Sequence, residues 1–293
     1  MSWPVVQIKL GEEDYPKLLS QITDPPQQLY CRGNLDLLNS ECVAVVGTRK
    51  LTSYGKESAQ YITRGLVTAG FTIVSGLAMG IDAVAHQTTL DSDGKTIAVL
   101  GGGISDQNIG PKINLPLARK ILENKGLLVS EYSDKETVRA YNFAVRDRII
   151  SGLSKGVVIV EADRDSGSLI TAQCALDQNR DVFAVPGNIF STRSIGSNEL
   201  IKNGAKLIMS AGDITEEYGY NLKIFSNKTD ISTQNATQKN ILDILTDKGE
   251  ASTDEVVSSL STFDTSDILS SLSMLEINGL IKKLSNGKYK LSQ

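Results

Sequence analysis

Short runs of apolar residues alternate with amphipathic segments over the first two thirds of the chain. These near-continuous apolar runs predict strands near residues 42–46, 71–74, 96–100, 126–129, 156–160 and 181–185. The segments between them carry apolar residues at helical spacing and predict helices near residues 54–69, from about 81, and near 113–124, 142–153 and 168–178. This alternation predicts an α/β fold with a doubly wound, mostly parallel sheet that helices cover on both faces.

The predicted strands are followed by turns of small residues. In a doubly wound sheet, ligands bind at the carboxyl ends of the strands, where backbone N–H groups and helix N-termini can approach an anion. One glycine after a strand is ordinary turn chemistry, but several at one edge favour an anionic ligand. The turns are Gly47-Thr48-Arg49, Ser75-Gly76-Leu77, Gly101-Gly102-Gly103, Ser130-Glu131, Ser166-Gly167-Ser168 and Pro186-Gly187-Asn188. Neither a G-x-G-x-x-G after the first strand nor a G-x-x-x-x-G-K-[ST] occurs, so neither an ordinary dinucleotide site nor a P-loop is predicted.

A polar, aperiodic stretch separates this region from the end of the chain. We expect an N-terminal extension (1–40) packing on a main domain (41–220), then a linker (221–237) and a small domain (238–293). Three helical patterns followed by an Asn286-Gly287 turn predict a winged helix-turn-helix there. The presumed recognition helix carries Asp267 and Glu276 but no Lys or Arg, while lysines lie in the wing, so both a protein-interaction surface and direct DNA contact stay open.

Composition narrows the class of protein. Lys+Arg 30 against Asp+Glu 34 gives a net charge of -4, so phosphate binding must depend on local clusters of cations. Three widely spaced cysteines and the single histidine, His86, favour neither a disulfide framework nor a metal site, and no cofactor is predicted. His86 lies within a helical apolar pattern and is expected to be structural. The absence of a signal-peptide pattern and of a membrane-spanning apolar run favours a soluble, cytoplasmic protein.

The segment from Phe143 combines an aromatic residue with arginines beside the predicted phosphate turns. A helical projection places Phe143 and Arg146 on the apolar arc and puts Asp147 and Arg148 outside it. Arg148 and Arg139 are therefore the better candidates for solvent and phosphate. Arg146 has two interpretations: a groove residue, or a structural arginine paired with Glu131 or Glu161.

Seven ordered segments between residues 14 and 210 resemble the DNA-processing protein A family, DprA or Smf. They are DYPKLLSQITDPPQQLYCRGNL (14–35), VAVVGTR (43–49), SGLAMGIDAVAH (75–86), TIAVLGGG (96–103), FAVRDRIISGLS (143–154), VVIVEADRDSGSLITAQCAL (157–176) and VFAVPGN (182–188). The resemblance implies an extended Rossmann-like domain that binds single-stranded DNA without sequence preference. It also implies a homodimer that acts as a recombination mediator and loads RecA recombinase onto incoming DNA in natural transformation. By analogy, the dimer surface is expected around residues 197–219.

In such proteins the arginine of the first turn contacts the DNA backbone and the aromatic residue stacks on a base, roles that carry over to Arg49 and Phe143. The full set of predicted DNA-binding residues is Gly47, Thr48, Arg49, Ser75, Gly76, Gly101, Gly102, Arg139, Phe143, Arg146, Arg148, Ser166 and Gly167. This chain departs from the family pattern at Thr48 (usually serine), Ala144 (usually proline) and Asp147 (usually asparagine), and Ile109-Gly110-Pro111-Lys112 replaces a usual tyrosine-proline pair. The Asp147 carboxylate is expected to weaken phosphate attraction.

Two other classes of protein are alternatives. A nucleotide-processing enzyme that resembles phosphoribohydrolases would need a glycine-rich segment followed by a glutamate for acid/base work. Here the equivalent segment, residues 166–172, has no such glutamate, although Glu131 and Glu161 could supply carboxylates at strand ends. The other alternative, a transcription factor, conflicts with the acidic recognition helix. We therefore expect a binding protein, not an enzyme.

Overall fold

The computed structural model describes residues 3–136, 139–219, 236–260, 263–277, 280–284 and 287–291. Contacts divide the chain into two compact units, residues 1–222 and 223–293. The first unit contains the central sheet, and the second contains a separate small core.

The first unit is built on a nine-stranded sheet in the order β1-β2-β6-β5-β4-β3-β7-β8-β9. Neighbouring strands from β6 to β9 are parallel, while β1 and β2 form an antiparallel edge. The strands are β1 Val5–Lys9, β2 Gln28–Gly33, β3 Cys42–Val46, β4 Thr72–Ser75, β5 Thr96–Leu100, β6 Leu127–Ser130, β7 Gly156–Ile159, β8 Asp181–Ala184 and β9 Lys206–Leu207. The predicted doubly wound, mostly parallel sheet is confirmed. β1 and β2 were not predicted as strands, and they make the N-terminal extension part of the sheet.

In the described residues of this unit, seven α-helices cover the two faces of the sheet. They are α1 Ser53–Thr68, α2 Ile81–Asp91, α3 Leu115–Glu123, α4 Ala140–Gly152, α5 Ser168–Asp177, α6 Ile195–Lys202 and α7 Ala211–Glu217. Strand β3 shows how both faces are buried: Cys42, Ala44 and Val46 pack into one core and Val43 and Val45 into the other. Because side chains alternate along a strand, a strand covered on both sides must be apolar throughout, as β3 is.

His86 lies inside α2 as a buried structural residue. Its Nδ1 is 2.7 Å from the hydroxyl of Thr96 on β5. Burial lowers the pKa of His86 to about 3, with a smaller contribution from the charge of Arg146. The imidazole is therefore neutral at physiological pH.

The second unit contains helices α8 Ala236–Lys248, α9 Thr253–Ser259 and α10 Thr265–Ile277 and strands β10 Glu250–Ala251, β11 Ile281–Lys283 and β12 Tyr289–Leu291. The strands form an antiparallel sheet in the order β10-β12-β11. Ile241, Leu245, Ile268 and Leu272 belong to its core. Asn286 of the predicted turn and most of the predicted linker lie outside the described residues. The assignment as a winged helix therefore stays a prediction.

Two further observations concern only the described residues. None of their helices combines the length and apolar character needed to cross a membrane. No group of three or more His, Cys, Asp or Glu side chains in that part of the chain could hold a metal ion.

Candidate nucleic-acid interface

A cleft of about 430 Å³ opens at the carboxyl edge of the parallel strands. Strand β3 is flanked by β4 on one side and β7 on the other, and the chain builds the sheet outward in both directions from it. This is the topological switch point at which doubly wound folds bind ligands. The cleft is lined by the turn after β3, by Ala78 and Asp82, by residues of α4, by the loop from Asp163 to Ser168, and by Arg193.

The turn after β3 is held tightly by its neighbours and presents Arg49 to solvent. The Thr48 N–H donates to the Glu161 carbonyl at 2.7 Å, and the Thr48 carbonyl accepts from the Ile81 N–H at 3.2 Å. Gly80 has φ +85°, and a Cβ there would lie 2.2 Å from the Thr48 carbonyl oxygen, so this approach requires glycine. Arg49 is exposed at the rim of the cleft.

Phe143 is half-buried and borders two spaces at once. It lines the cleft and also an adjacent hollow of about 140 Å³ that includes Met79 and Pro111. A Cβ at Gly101 would lie 2.8 Å from the Phe143 ring, so the close approach of this ring depends on Gly101. The ring is thus fixed against β5 while part of it stays accessible.

Arg146 is buried, and its guanidinium lies beneath the cleft. Its Nη1 donates to the Val99 carbonyl at 3.3 Å, its Nε lies 3.4 Å from Asp147 Oδ1, and Nε has no hydrogen-bond partner. A Cβ at Gly76 would lie 1.4 Å from Nη1, so the arginine fills the space above this glycine. The predicted alternative pairing of Arg146 with Glu131 or Glu161 is wrong, because its acidic partner is Asp147.

Among the predicted DNA-binding residues, Arg148 departs most from the exposed position that the sequence predicted for it. Its side chain is 14% exposed, and it pairs with Glu131 at 2.7 Å and with Asp24 at 3.1 Å. The helical projection pointed it to solvent, but that side of α4 faces β6 and the N-terminal extension, which supply both carboxylates. Arg148 is absent from the residues that line the cleft. Arg139 precedes α4 and is exposed, as expected.

Asp147 was also expected outside the apolar arc, yet it is buried at the cleft. Burial raises the pKa of Asp147 to about 6, although the Arg146 charge opposes this shift. Asp82 lies at the same cleft and accepts hydrogen bonds from the N–H groups of Gly76 and Ala78 at 3.0 and 3.4 Å. Burial raises the pKa of Asp82, and Arg146 again opposes the rise. The cleft therefore contains carboxylates as well as cations.

Four of the predicted small residues do not line the cleft: Gly76 lines only the adjacent hollow, and Ser75, Gly101 and Gly102 line neither space. The hydroxyl of Ser75 is buried and donates to the Val45 carbonyl at 2.7 Å. The Gly76 N–H is taken by Asp82, Gly101 packs on Phe143, and the Gly102 carbonyl accepts from the Ser130 hydroxyl at 2.6 Å. The Ser75 hydroxyl and the Gly76 N–H are thus already engaged within the protein, which differs from the expectation of open turns.

The loop before α5 lies at the cleft as predicted from its position after β7. Ser166 and Gly167 line it, and the Ser166 hydroxyl is 2.8 Å from that of Ser168. Arg193 also lines the cleft and pairs with Asp163 at 3.1 Å.

The sequence interpretation missed two cations that line the cleft, Lys50 and Arg193. Both follow strand-end turns, which is the signal that could have indicated them.

The carboxylates that the enzyme alternative would need are already engaged. Glu161 is buried and accepts from the Thr52 N–H at 2.9 Å and from the Thr52 hydroxyl at 2.7 Å. It thereby holds the residue that caps α1, since the Thr52 hydroxyl accepts from the Gly55 N–H. Glu131 is paired with Arg148.

A doubly wound sheet, with a cleft of cations, carboxylates and an accessible aromatic ring at its switch point, defines a Rossmann-like protein. Residues 7–219 match the family model of DNA recombination-mediator protein A, and the chain belongs to this family. It is 43% identical over 211 residues to DNA processing protein DprA of Bacillus subtilis (72% of this chain, 70% of the relative). It is 46% identical over 215 residues to protein Smf of Escherichia coli (73% of this chain, 57% of the relative).

Two solved structures share this fold. DNA processing protein A from Streptococcus pneumoniae matches with a TM-score of 0.68 and 42% identity, over 73% of this chain and 74% of that one. DNA processing protein A from Helicobacter pylori, a structure described for its single-stranded DNA binding mode, matches with a TM-score of 0.65 and 31% identity, over 74% of this chain and 96% of that one. The family match ends at residue 219, so the second unit lies beyond it.

Proposed function

We propose that the cleft binds single-stranded DNA without sequence preference. The observation that carries the proposal is that Phe143 and Arg49 border one cleft, with the ring fixed against β5 and the arginine exposed at the rim. An aromatic ring stacks on any base for about 1–3 kcal/mol, and cations hold the backbone regardless of sequence. The single-stranded DNA binding described for the Helicobacter pylori relative supports the same ligand.

We propose further that the chain acts in the cytoplasm as a recombination mediator that loads RecA onto incoming DNA in natural transformation. Membership of the recombination-mediator family supports this role. It is proposed to be a binding protein and not an enzyme, because Glu131 and Glu161 are engaged in structural hydrogen bonds. The second unit is proposed to be a winged helix that contributes an auxiliary surface.

A homodimer is part of this proposal, with its surface in residues 197–219. Strand β9 forms one edge of the nine-stranded sheet, and Leu207 and Met209 are 43% and 73% exposed. An exposed edge strand with apolar neighbours is a surface that pairs readily with another chain. A second copy of the same edge would cover it.

The test is a competition experiment with fluorescent oligo-dT. Unlabelled oligo-dT should displace the probe at far lower concentration than duplex DNA of equal length, because a duplex hides the base faces that Phe143 would contact. Equal or tighter binding of the duplex would overturn the proposal. Incubation with nucleoside monophosphates should release no free base, whereas base release would favour the phosphoribohydrolase-like enzyme.

A further inference from the structure

The turn after β8 presents two highly exposed apolar side chains. Phe190 is 89% exposed and Ile189 is 78% exposed, more than any other large apolar residue in the described part of the chain. Exposing a phenylalanine in this way gives up the burial that normally stabilises it. Such exposure of Phe190 indicates that its ring contacts a ligand or a partner.

The backbone of this turn is well held. The Asn188 side chain accepts from the Phe190 N–H at 2.8 Å, and the Asn188 carbonyl accepts from the Ser191 N–H at 3.0 Å. Asn198 of α6 fixes Gly187 through two hydrogen bonds of 3.1 and 3.0 Å. The turn thus presents Phe190 from a backbone fixed by hydrogen bonds.

The same turn connects the first cleft to a second cleft of about 450 Å³ at the same edge of the sheet. Two segments contribute to both clefts. After β3, Lys50 lines the first cleft and Thr52 the second; after β8, Arg193 lines the first and Ser191 the second. The two clefts therefore share bordering segments at this edge of the sheet. Phe190 lines neither cleft and lies between Asn188 and Ser191, two residues that line the second one.

The lining of the second cleft suits a nucleic-acid backbone. It includes the hydroxyl residues Thr52, Ser191 and Ser194, the amide of Asn188, and Glu161, whose carboxylate is engaged by the N–H and hydroxyl of Thr52. Such groups commonly contact phosphate and sugar oxygens. A protein partner would favour a larger contiguous apolar patch, whereas Ile189 and Phe190 are flanked along the chain by the polar residues Asn188, Ser191 and Thr192.

We infer that a single strand of DNA runs from the first cleft across the turn of residues 186–194, with Phe190 as a second base-stacking platform. This inference rests on the proposed function. It extends the binding path beyond the surface formed by residues 43–49 and 143–154. A strand that reaches both aromatic residues gains stacking at two positions, so affinity should rise with length until both are occupied.

The experiment compares oligo-dT of about 4 nucleotides, sufficient for one cleft, with oligo-dT of about 12 nucleotides. Phe190→Ala should weaken binding of the longer oligonucleotide by about 5- to 150-fold and change binding of the shorter one by less than about twofold. Phe190→Trp should retain the affinity, and its fluorescence should be quenched by the longer oligonucleotide only. Leu176→Ala is the matched control, since Leu176 is 54% exposed at the far end of α5.

The outcomes separate this inference from the proposed function. Wild-type protein that binds neither oligonucleotide would overturn both. Wild-type protein that binds both, with unchanged affinities in Phe190→Ala, would overturn the inference alone. Loss of recombinase capture by Phe190→Ala with unchanged DNA affinity would instead assign this turn to a protein partner.

Discussion

Phe143 is the residue whose position bears most directly on ligand binding. Its ring packs against Gly101 and borders both the cleft and the adjacent apolar hollow. Phe143→Ala should weaken oligo-dT binding by about 5- to 150-fold, because about 1–3 kcal/mol of stacking is lost. Fluorescence anisotropy measures the change. Val145→Ala on the same helix serves as control, since Val145 is exposed and does not line the cleft; equal losses in both variants would contradict a stacking role.

Asp147 places a titratable negative charge beneath the cleft. Burial raises its pKa to about 6, so the carboxyl is mainly protonated below pH 6 and ionised above it. Protonation removes a repulsive charge, and the affinity for single-stranded DNA should therefore rise as pH falls through 6. Asp147→Asn should strengthen binding at pH 7.5 by up to about tenfold, or about 1.4 kcal/mol.

The same substitution identifies the titrating group. Asp82 lies at this cleft with a raised pKa of its own, while the pKa of His86 is lowered to about 3. If Asp147 causes the pH dependence, affinity in Asp147→Asn should be nearly flat between pH 5 and 7.5. A dependence that persists in the variant would assign it to Asp82.

At the scale of elements, Arg148 ties α4 to β6 and to the N-terminal extension. Its pairing with Glu131 is part-buried, and removing the guanidinium would leave that carboxylate without its bidentate partner. Arg148→Ala should lower the free energy of unfolding by about 1–3 kcal/mol in urea denaturation. Arg164→Ala should change it by less than about 1 kcal/mol, because the Arg164–Glu199 pair is 71% and 50% exposed.

The two variants also separate stability from binding. Arg148 lies away from the cleft, so Arg148→Ala should affect oligo-dT affinity far less than Phe143→Ala does. A loss of affinity as large as that of Phe143→Ala, in protein that remains folded, would restore Arg148 as a phosphate contact.

The strands that are buried on both faces could be predicted from the sequence, whereas the strands at the two edges of the sheet could not. Strand β3 is apolar at every position, as a strand covered on both faces must be, and the sequence therefore predicted it. The position of Arg49 could be predicted too, because the turn that carries it comes directly after this strand. Strand β1 buries only Ile8, and β9 has two residues, so neither gives a periodic signal. Arg148 was misplaced for a related reason: a helical projection contains no information about Asp24, which approaches from a distant part of the chain.

At the scale of the whole molecule, the net charge of -4 means that binding depends on few cations. Arg49 and Lys50 are exposed at the cleft, whereas Arg146 and Arg193 are each beside a carboxylate. With about two or three phosphates neutralised, the logarithm of the binding constant should fall against the logarithm of salt concentration with a slope of about -1.4 to -2.1.

Substitution of one exposed cation then tests how many phosphates the protein neutralises. Arg49→Ala should reduce the magnitude of this slope by about 0.7, because one fewer counterion is released from the single strand. Lys9→Ala should leave the slope unchanged, since Lys9 lies on β1 at the antiparallel edge of the sheet, five strands from β3. A much steeper wild-type slope would mean that cations beyond the cleft hold the strand, and the lysines of β11 and β12 would then be the next to substitute.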